Sequence, residues 1–467
     1  MFSDYLRSRQ ELCRNLIDRL APDFDYVSIL GKEITGKKID VSTSSTDVND
    51  SFETQTGFVV RLFNGKCFSE YSFTDIRKDN FEEVEQAIRN CVKFSDRILD
   101  RHVSFDIPDD EPLVQDFERP PLGRRRTVPE AIDELTELRD KAKAVSDKIV
   151  FVRMTHEFYD VSSMFLSKNR TLTQYYSWNA VRGYVVARDG EKMQSSYDVS
   201  AFNDADRSFS HMNEKAESLA ALAVELLGAE NIEPGIYDII TAPSITGLIA
   251  HEAFGHGVEM DMFVKERAKA RMYVGKQVAS ELIEMHDGAA ACESCVGYFF
   301  DDDGVLAHDT VIIQNGILLS GISDAVSALE LRTPPTGNGR RADPYRKSYT
   351  RMTNTFFAPG KDRLEDMIAS VKHGYMLFQT DNGMEDPKNW SIQCVAQYGR
   401  EIRDGKFTGK IVAPVVMSGY VPDLLMSISM VSDEMEVIGS GHCGKGYKEY
   451  VPVSDGGPYL KARCRLG

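Results

Sequence analysis

No segment of the chain is apolar for long enough to cross a bilayer; the nearest approach, residues 411–431, is interrupted by Pro414, Pro422 and Asp423. The opening MFSDYLRSRQELCRN lacks a basic start followed by an apolar run, so no secretory signal is expected. Positive charge is scarce: 55 Lys and Arg stand against 72 Asp and Glu, a net charge of −17. That deficit argues against general nucleic-acid binding and against attraction to an anionic membrane, both of which need basic surface. Neither an internal repeat nor a low-complexity tract is present. Without an export signal the expected location is the cytoplasm, where the eight cysteines stay reduced.

At 467 residues the chain is long for one core, and two domains are expected. Glu233-Pro234-Gly235 breaks the chain after a helix read from Glu214 to Leu227, which divides it into residues 1–232 and 233–467. The first part reads as mixed α and β layers. Asn64-Gly65 and Asp189-Gly190 are hairpin turns, Phe81–Phe94 is a helix, and Thr127 with Glu130 has capping-box spacing ahead of another. The second part is strand-rich, with hairpins at Asn315-Gly316 and Asp404-Gly405. The fold expected overall is α+β, its C-terminal half a barrel-like antiparallel sheet carrying a helix of chemical interest.

That helix contains His251-Glu252-Ala253-Phe254-Gly255-His256, two imidazoles and a carboxylate within six residues. Zinc proteases of the helical type space their histidines four apart with the glutamate beside them to activate water. Here the spacing is five, which on a regular helix turns the rings about 140° apart. A single π-turn would bring them back to one side, and Gly255 supplies backbone freedom there. The spacing therefore predicts a widened helix between Glu252 and Gly257. Gly235–Thr241 reads as the strand leading in, Ser244 as the N-cap, and Ile245, Leu248 and Ile249 as the buried face. The bland alternative is a pair of ordinary helix histidines, one packed and one solvated.

A catalytic zinc usually takes three protein ligands. The remaining histidines, the carboxylates and the eight cysteines are all candidates for the third. One context stands out, Cys443 in the glycine-rich Ser440-Gly441-His442-Cys443-Gly444-Lys445-Gly446, although a free buried thiol is the commoner explanation of such a residue.

HEAFGHGVEMD, the stretches Pro335–Arg341 and Arg351–Thr355, and the closing GHCGKG followed by VPV and a Gly-Pro turn together resemble the TldD branch of the TldD/PmbA family. The matches keep the family's order across roughly residues 235 to 460. The resemblance implies one zinc per chain held by His251, His256 and Cys443, with Glu252 as general base. It further implies a metalloprotease that cleaves unfolded or extended peptides as a homodimer or beside a PmbA-like sister subunit. His442, next to that cysteine, is a candidate for supporting or competing with it. Arg340 and Arg341 lie in a stretch read as a mobile loop near the centre, where either could meet a peptide carboxylate.

Other signals read blandly. Cys292 and Cys295 are ordinary thiols, Asp301-Asp302-Asp303-Gly304 is an acidic turn, and Arg124-Arg125-Arg126 is a solvated loop. Thr336-Gly337-Asn338-Gly339-Arg340-Arg341 lacks the Lys-Ser/Thr ending of a phosphate loop. Two rival functions stay open: a metal-bearing subunit that binds peptides without cleaving them, and a hydrolase of small amides.

Overall fold

A computed structural model describes residues 1–98, 107, 109–293 and 296–467. Cys295, half of the Cys292/Cys295 pair, lies outside the described residues; Cys292 is a free thiol that burial pushes up to about 12. No described helix is long and apolar enough to cross a membrane.

Two large sheets organise the described residues. The first has eight strands: β1 (Tyr26–Ser42), β2 (Thr46–Asp50), β3 (Gln55–Phe63), β4 (Phe68–Phe73), β5 (Leu113–Arg119), β6 (Ile149–Ser167), β7 (Arg170–Asp189) and β8 (Lys192–Ala201). They run in the order β4-β3-β1-β6-β7-β5, with β2 on β1 and β8 on β7. Side chains alternate between the two faces of a strand. Val27, Ile29, Ile39 and Val41 of β1 accordingly pack under helices, α1 (Asp4–Leu20) and α2 (Phe81–Ile98) at one end, α3 (Val128–Lys143) and α4 (Ala205–Leu226) at the other. The residues between them, Lys32, Ile34 and Lys38 among them, turn to the opposite face.

The second sheet comprises β9 (Gly235–Thr241), β10 (Met285–Asp287), β11 (Thr310–Gln314), β12 (Ile317–Leu318), then, after the small β13 (Gly339–Arg340) and β14 (Tyr349–Thr350) pair, β15 (Asn354–Phe357) and β16 (His373–Asp386). It continues with β17 (Ser391–Arg403), β18 (Lys406–Val412), β19 (Val415–Tyr420), β20 (Met430–Lys445) and β21 (Glu449–Leu466). The expectation of an antiparallel sheet needs correction, because β9 runs parallel to β16 and β15 parallel to β21. Pairings connect β9, β16, β17, β19 and β21, and β21 pairs again with β9.

Local signals translate unevenly. Asn315-Gly316 and Asp404-Gly405 are two-residue turns with both residues at positive φ, as their type requires. The Thr127 capping box is formed, and β9 and α2 begin where expected. Asn64-Gly65 instead opens a four-residue loop, Phe63 facing Phe68, because the Asn64 side chain accepts the Lys66 and Cys67 amides. Helix α4 starts at Ala205, nine residues before the expected start, since Asp204 caps it.

The inner face of the first sheet meets the second half through buried charge. Lys32 pairs with Asp302 at 2.6 Å, Arg61 with Asp303 at 2.8 Å, and Arg341 donates to Glu70 at 3.0 Å. The acidic turn at 301–304 is thus a buried clasp, and Arg341 is committed to it rather than free for substrate. The three arginines of the expected solvated loop are also engaged, Arg124 with Glu130, Arg125 with Asp160 and Arg126 with Glu134.

Burial alone would raise the Glu70 carboxyl, but Arg61 and Arg341 overcome it and hold the pKa down at about 2. A depressed folded-state pKa contributes stability above the unfolded value that is lost as pH falls through the folded one. Glu70→Gln is therefore expected to melt below the natural chain at pH 7, with the gap closing between about pH 5 and pH 2; thermal midpoints across that range check it.

Candidate metal centre

Strand β9 ends at Thr241, held between Leu377 of β16 and Leu460 of β21. This fixes where the next element must start. Pro243 occupies the first turn of a helix, α5 (Pro243–Leu248), whose N-cap is Ala242 and not Ser244. Ile245, Leu248 and Ile249 enter the core as the periodicity requires. From Ile249 to Gly255 the helix widens to a π-helix, and the His256 amide donates to the His251 carbonyl, five residues back. The inserted residue is absorbed where the histidine spacing demands, so both rings approach one point, 5.2 Å apart at 90°.

Gly255 matters for a different reason from the one its sequence context suggests. Its φ of −59° is ordinary helix, so no special backbone freedom is used. A Cβ there would run into the Met352 thioether and lie 2.9 Å from the Ala250 carbonyl oxygen. Gly255→Ala is expected to destabilise by about 1–3 kcal/mol through overpacking, read as a lower denaturant midpoint at unchanged slope.

The third member arrives from the far end of the chain. Cys443 does not sit in a glycine turn: it lies within β20, opposite Val451 of β21, and the chain reverses only after Lys445. His251, His256 and Cys443 each offer a ligand atom, and these lie within 4.8 Å of one another; Cys443 Sγ is 3.6 Å from His256 Nε2. Zinc with bonds of about 2.0–2.3 Å sets tetrahedral ligand atoms about 3.5 Å apart, so the set needs only a small contraction. The His251 Nδ1 is buried with no hydrogen-bond partner. Two imidazoles and a thiol are a donor set that zinc accepts, and the residues fit it.

Supporting groups surround this cluster. His256 Nδ1 lies 3.2 Å from Glu259 Oε2, the kind of carboxylate contact that orients a ligating ring. Lys445 donates to Glu259 at 3.0 Å, to Asp261 at 2.7 Å and to the Thr350 carbonyl at 3.0 Å. Arg351, fully buried, donates to the Cys443 and Glu449 carbonyls and pins the two strands that present the thiol. None of Glu259, Lys445 or Arg351 is marked by spacing, although all three stand inside the stretches HEAFGHGVEMD, GHCGKG and Arg351–Thr355 that carry the family resemblance. Burial would push the Cys443 thiol up, but the two imidazoles hold it well below its usual range. Glu252 Oε2 stands 3.9 Å from His256 Nε2, and burial raises its carboxyl. A Cβ on Gly383 of β16 would sit 2.6 Å from Glu252 Cγ, so glycine lets that strand pass directly over the acid.

The remaining sequence candidates are placed elsewhere. His442 precedes Cys443 in an extended strand and projects to the other face, where its Nε2 lies 3.1 Å from Glu53 Oε1. Arg340 is buried and donates to the Met352 carbonyl at 2.8 Å. The stretch around it is packed rather than mobile: Asn338 and Gly339 are buried and β13 pairs with β14.

Known proteins resemble the chain in sequence and in fold. Residues 234–463 match the PmbA/TldA metallopeptidase C-terminal domain. A metalloprotease of Methanothermobacter thermautotrophicus is 28% identical over 87% of this chain and 88% of its own length. A zinc metalloprotease TldD homolog of Saccharolobus solfataricus is 29% identical over 64% of this chain and 67% of its own. Among solved structures, TldE from Thermococcus kodakarensis superposes with a TM-score of 0.74 at 19% identity, covering 98% of this chain and all of that one, which establishes a common fold.

Proposed function

The chain belongs to the TldD/PmbA family, and from that premise we propose that it is a zinc-dependent peptidase of the TldD-like branch, hydrolysing unfolded or extended peptides. The observation that carries the reading is the convergence of His251, His256 and Cys443 with Glu252 beside them. These three would hold one zinc ion per chain. When bound, zinc supplies Lewis-acid polarisation of the scissile carbonyl and stabilises the charge that develops on its oxygen.

The protein's own residues do the rest. Glu252 accepts a proton from the attacking water and returns it to the departing amine nitrogen, so that one carboxylate serves as base and then as acid. Glu259 holds the His256 ring, and Lys445 neutralises the buried Glu259. Arg351 keeps Cys443 in place through the backbone rather than the thiol.

Within this reading the boundary between domains falls at residues 232/233, supported by the strands of the two sheets, which occupy 26–201 and 235–466. The five-strand pairing circuit serves as a barrel-like frame around the metal helix. A dimer, with itself or with a PmbA-like sister subunit, and a cytoplasmic location complete the proposal.

The test is cleavage of an unstructured peptide by the purified chain, with and without added zinc and a PmbA-like partner, followed by mass spectrometry. New termini that depend on zinc are expected. Binding without cleavage under every combination would leave the non-cleaving subunit instead.

A further inference from the structure

The inner face of the first sheet is not filled along its whole length. Toward Phe165 it is covered by Phe300 and by the charged clasp, and in the middle Tyr159 and Val161 pack with Val296, leaving a cavity of only 50 Å³. Beyond that, Arg153 of β6 and Arg182 of β7, which project to the same face, line an open cleft of 360 Å³ with Lys38, Tyr197 and His442. This size falls in the usual range of ligand sites, about 300–1,000 Å³.

Two links tie the cleft to the metal centre. His442 on its wall is the neighbour of Cys443 in β20. Tyr197 lies 3.0 Å through its hydroxyl from Thr380 Oγ1, on the strand whose Gly383 packs against Glu252. β20, which carries Cys443, and β16, which passes over Glu252, thus both adjoin the cleft, with His442 on the face of β20 opposite the thiol.

The cleft's charge is out of keeping with the rest of the chain. In a protein of net charge −17 it gathers three cations. Arg182 is answered by Glu157 at 2.9 Å and Lys38 by Asp40 at 3.3 Å. Arg153 has no carboxylate partner among the described residues; it is exposed, with its guanidinium 5.6 Å from the Tyr184 ring centre. An arginine stacked on an aromatic face keeps its donors free and oriented, and its fork matches a carboxylate. Asp198, also on the wall, is the one opposing charge left; its Oδ1 accepts the Val199 amide at 2.7 Å.

We propose that this cleft is a subsite for a carboxylate of the bound peptide, contributed by its C-terminus or by an Asp or Glu side chain, with Arg153 as the residue that grips it. The proposal rests on the peptidase reading for its ligand. A strongly acidic protein repels acidic peptides at long range, and a local unpaired cation in the cleft reverses that sign where it stands.

Calorimetric binding to the full chain carrying Glu252→Gln separates this from catalysis. One peptide is offered in three forms: neutral with a C-terminal amide, the same with a free C-terminal carboxylate, and the amide with Glu replacing Gln. At least one carboxylate form should bind about tenfold tighter than the neutral form, and which one does so identifies the source. Adding Arg153→Glu, or the milder Arg153→Gln if the reversal disturbs the melting temperature, should shrink that advantage to about twofold or less. Equal binding of all three forms, no binding of the carboxylate forms, or an advantage that survives both substitutions would overturn the proposal. If the chain binds carboxylate peptides in this way yet cleaves none, the peptidase reading fails and the subsite stands.

Discussion

Glu252→Gln is expected to lower peptide turnover by about 10²–10⁴-fold while leaving zinc content and peptide binding unchanged. Glutamine keeps the size and hydrogen-bonding reach of the side chain but cannot take a proton from water. The metal should be indifferent, because Glu252 lies outside the group of three ligand atoms. Loss should therefore appear in kcat with KM nearly constant, the signature of an interaction made only in the transition state. Steady-state kinetics beside metal analysis of the same sample decides it. Turnover within a few-fold of the natural chain would remove Glu252 from the mechanism.

Cys443→Ala is expected to have the opposite profile, losing the metal first and activity as a consequence. The thiol is 5% exposed and points between two imidazoles that pull it toward thiolate, so its removal deletes the charged donor and leaves two neutral ones. Dialysed protein should fall from about one zinc per chain to a small fraction of that. The fold should survive, since Arg351 grips the Cys443 carbonyl, which the substitution leaves in place. Full zinc occupancy with no activity would instead mark the sulfur as a participant in bond cleavage.

The π-turn is legible in the sequence because a metal imposes a geometric condition on two residues close together: a spacing of five is incompatible with a regular helix, and a single widened turn repairs it. Cys443 is not legible in that way. It lies 187 residues from His256; a glycine-rich context makes it stand out among the thiols, but only resemblance makes it a ligand. Gly441, Gly444 and Gly446 suggest a turn around it, whereas their partners across β21 hold most of the segment extended. Arg340, Arg341 and Asp301 to Asp303 have the look of surface features, since charge usually stays in water. The structure buries them, and Lys32, Arg61 and Glu70 of the first half pair with three of them, partners that no local pattern connects to them. Gly255 is required as the sequence suggests but for another cause, the constraint being space beside Met352 rather than backbone freedom.

Zinc-edge X-ray absorption on the purified chain tests the central claim most directly. The account predicts one zinc per chain with two nitrogen scatterers at about 2.0 Å and one sulfur at about 2.3 Å. A fully metallated sample with no sulfur in the first coordination sphere, or one whose spectrum is unchanged by Cys443→Ala, would contradict it.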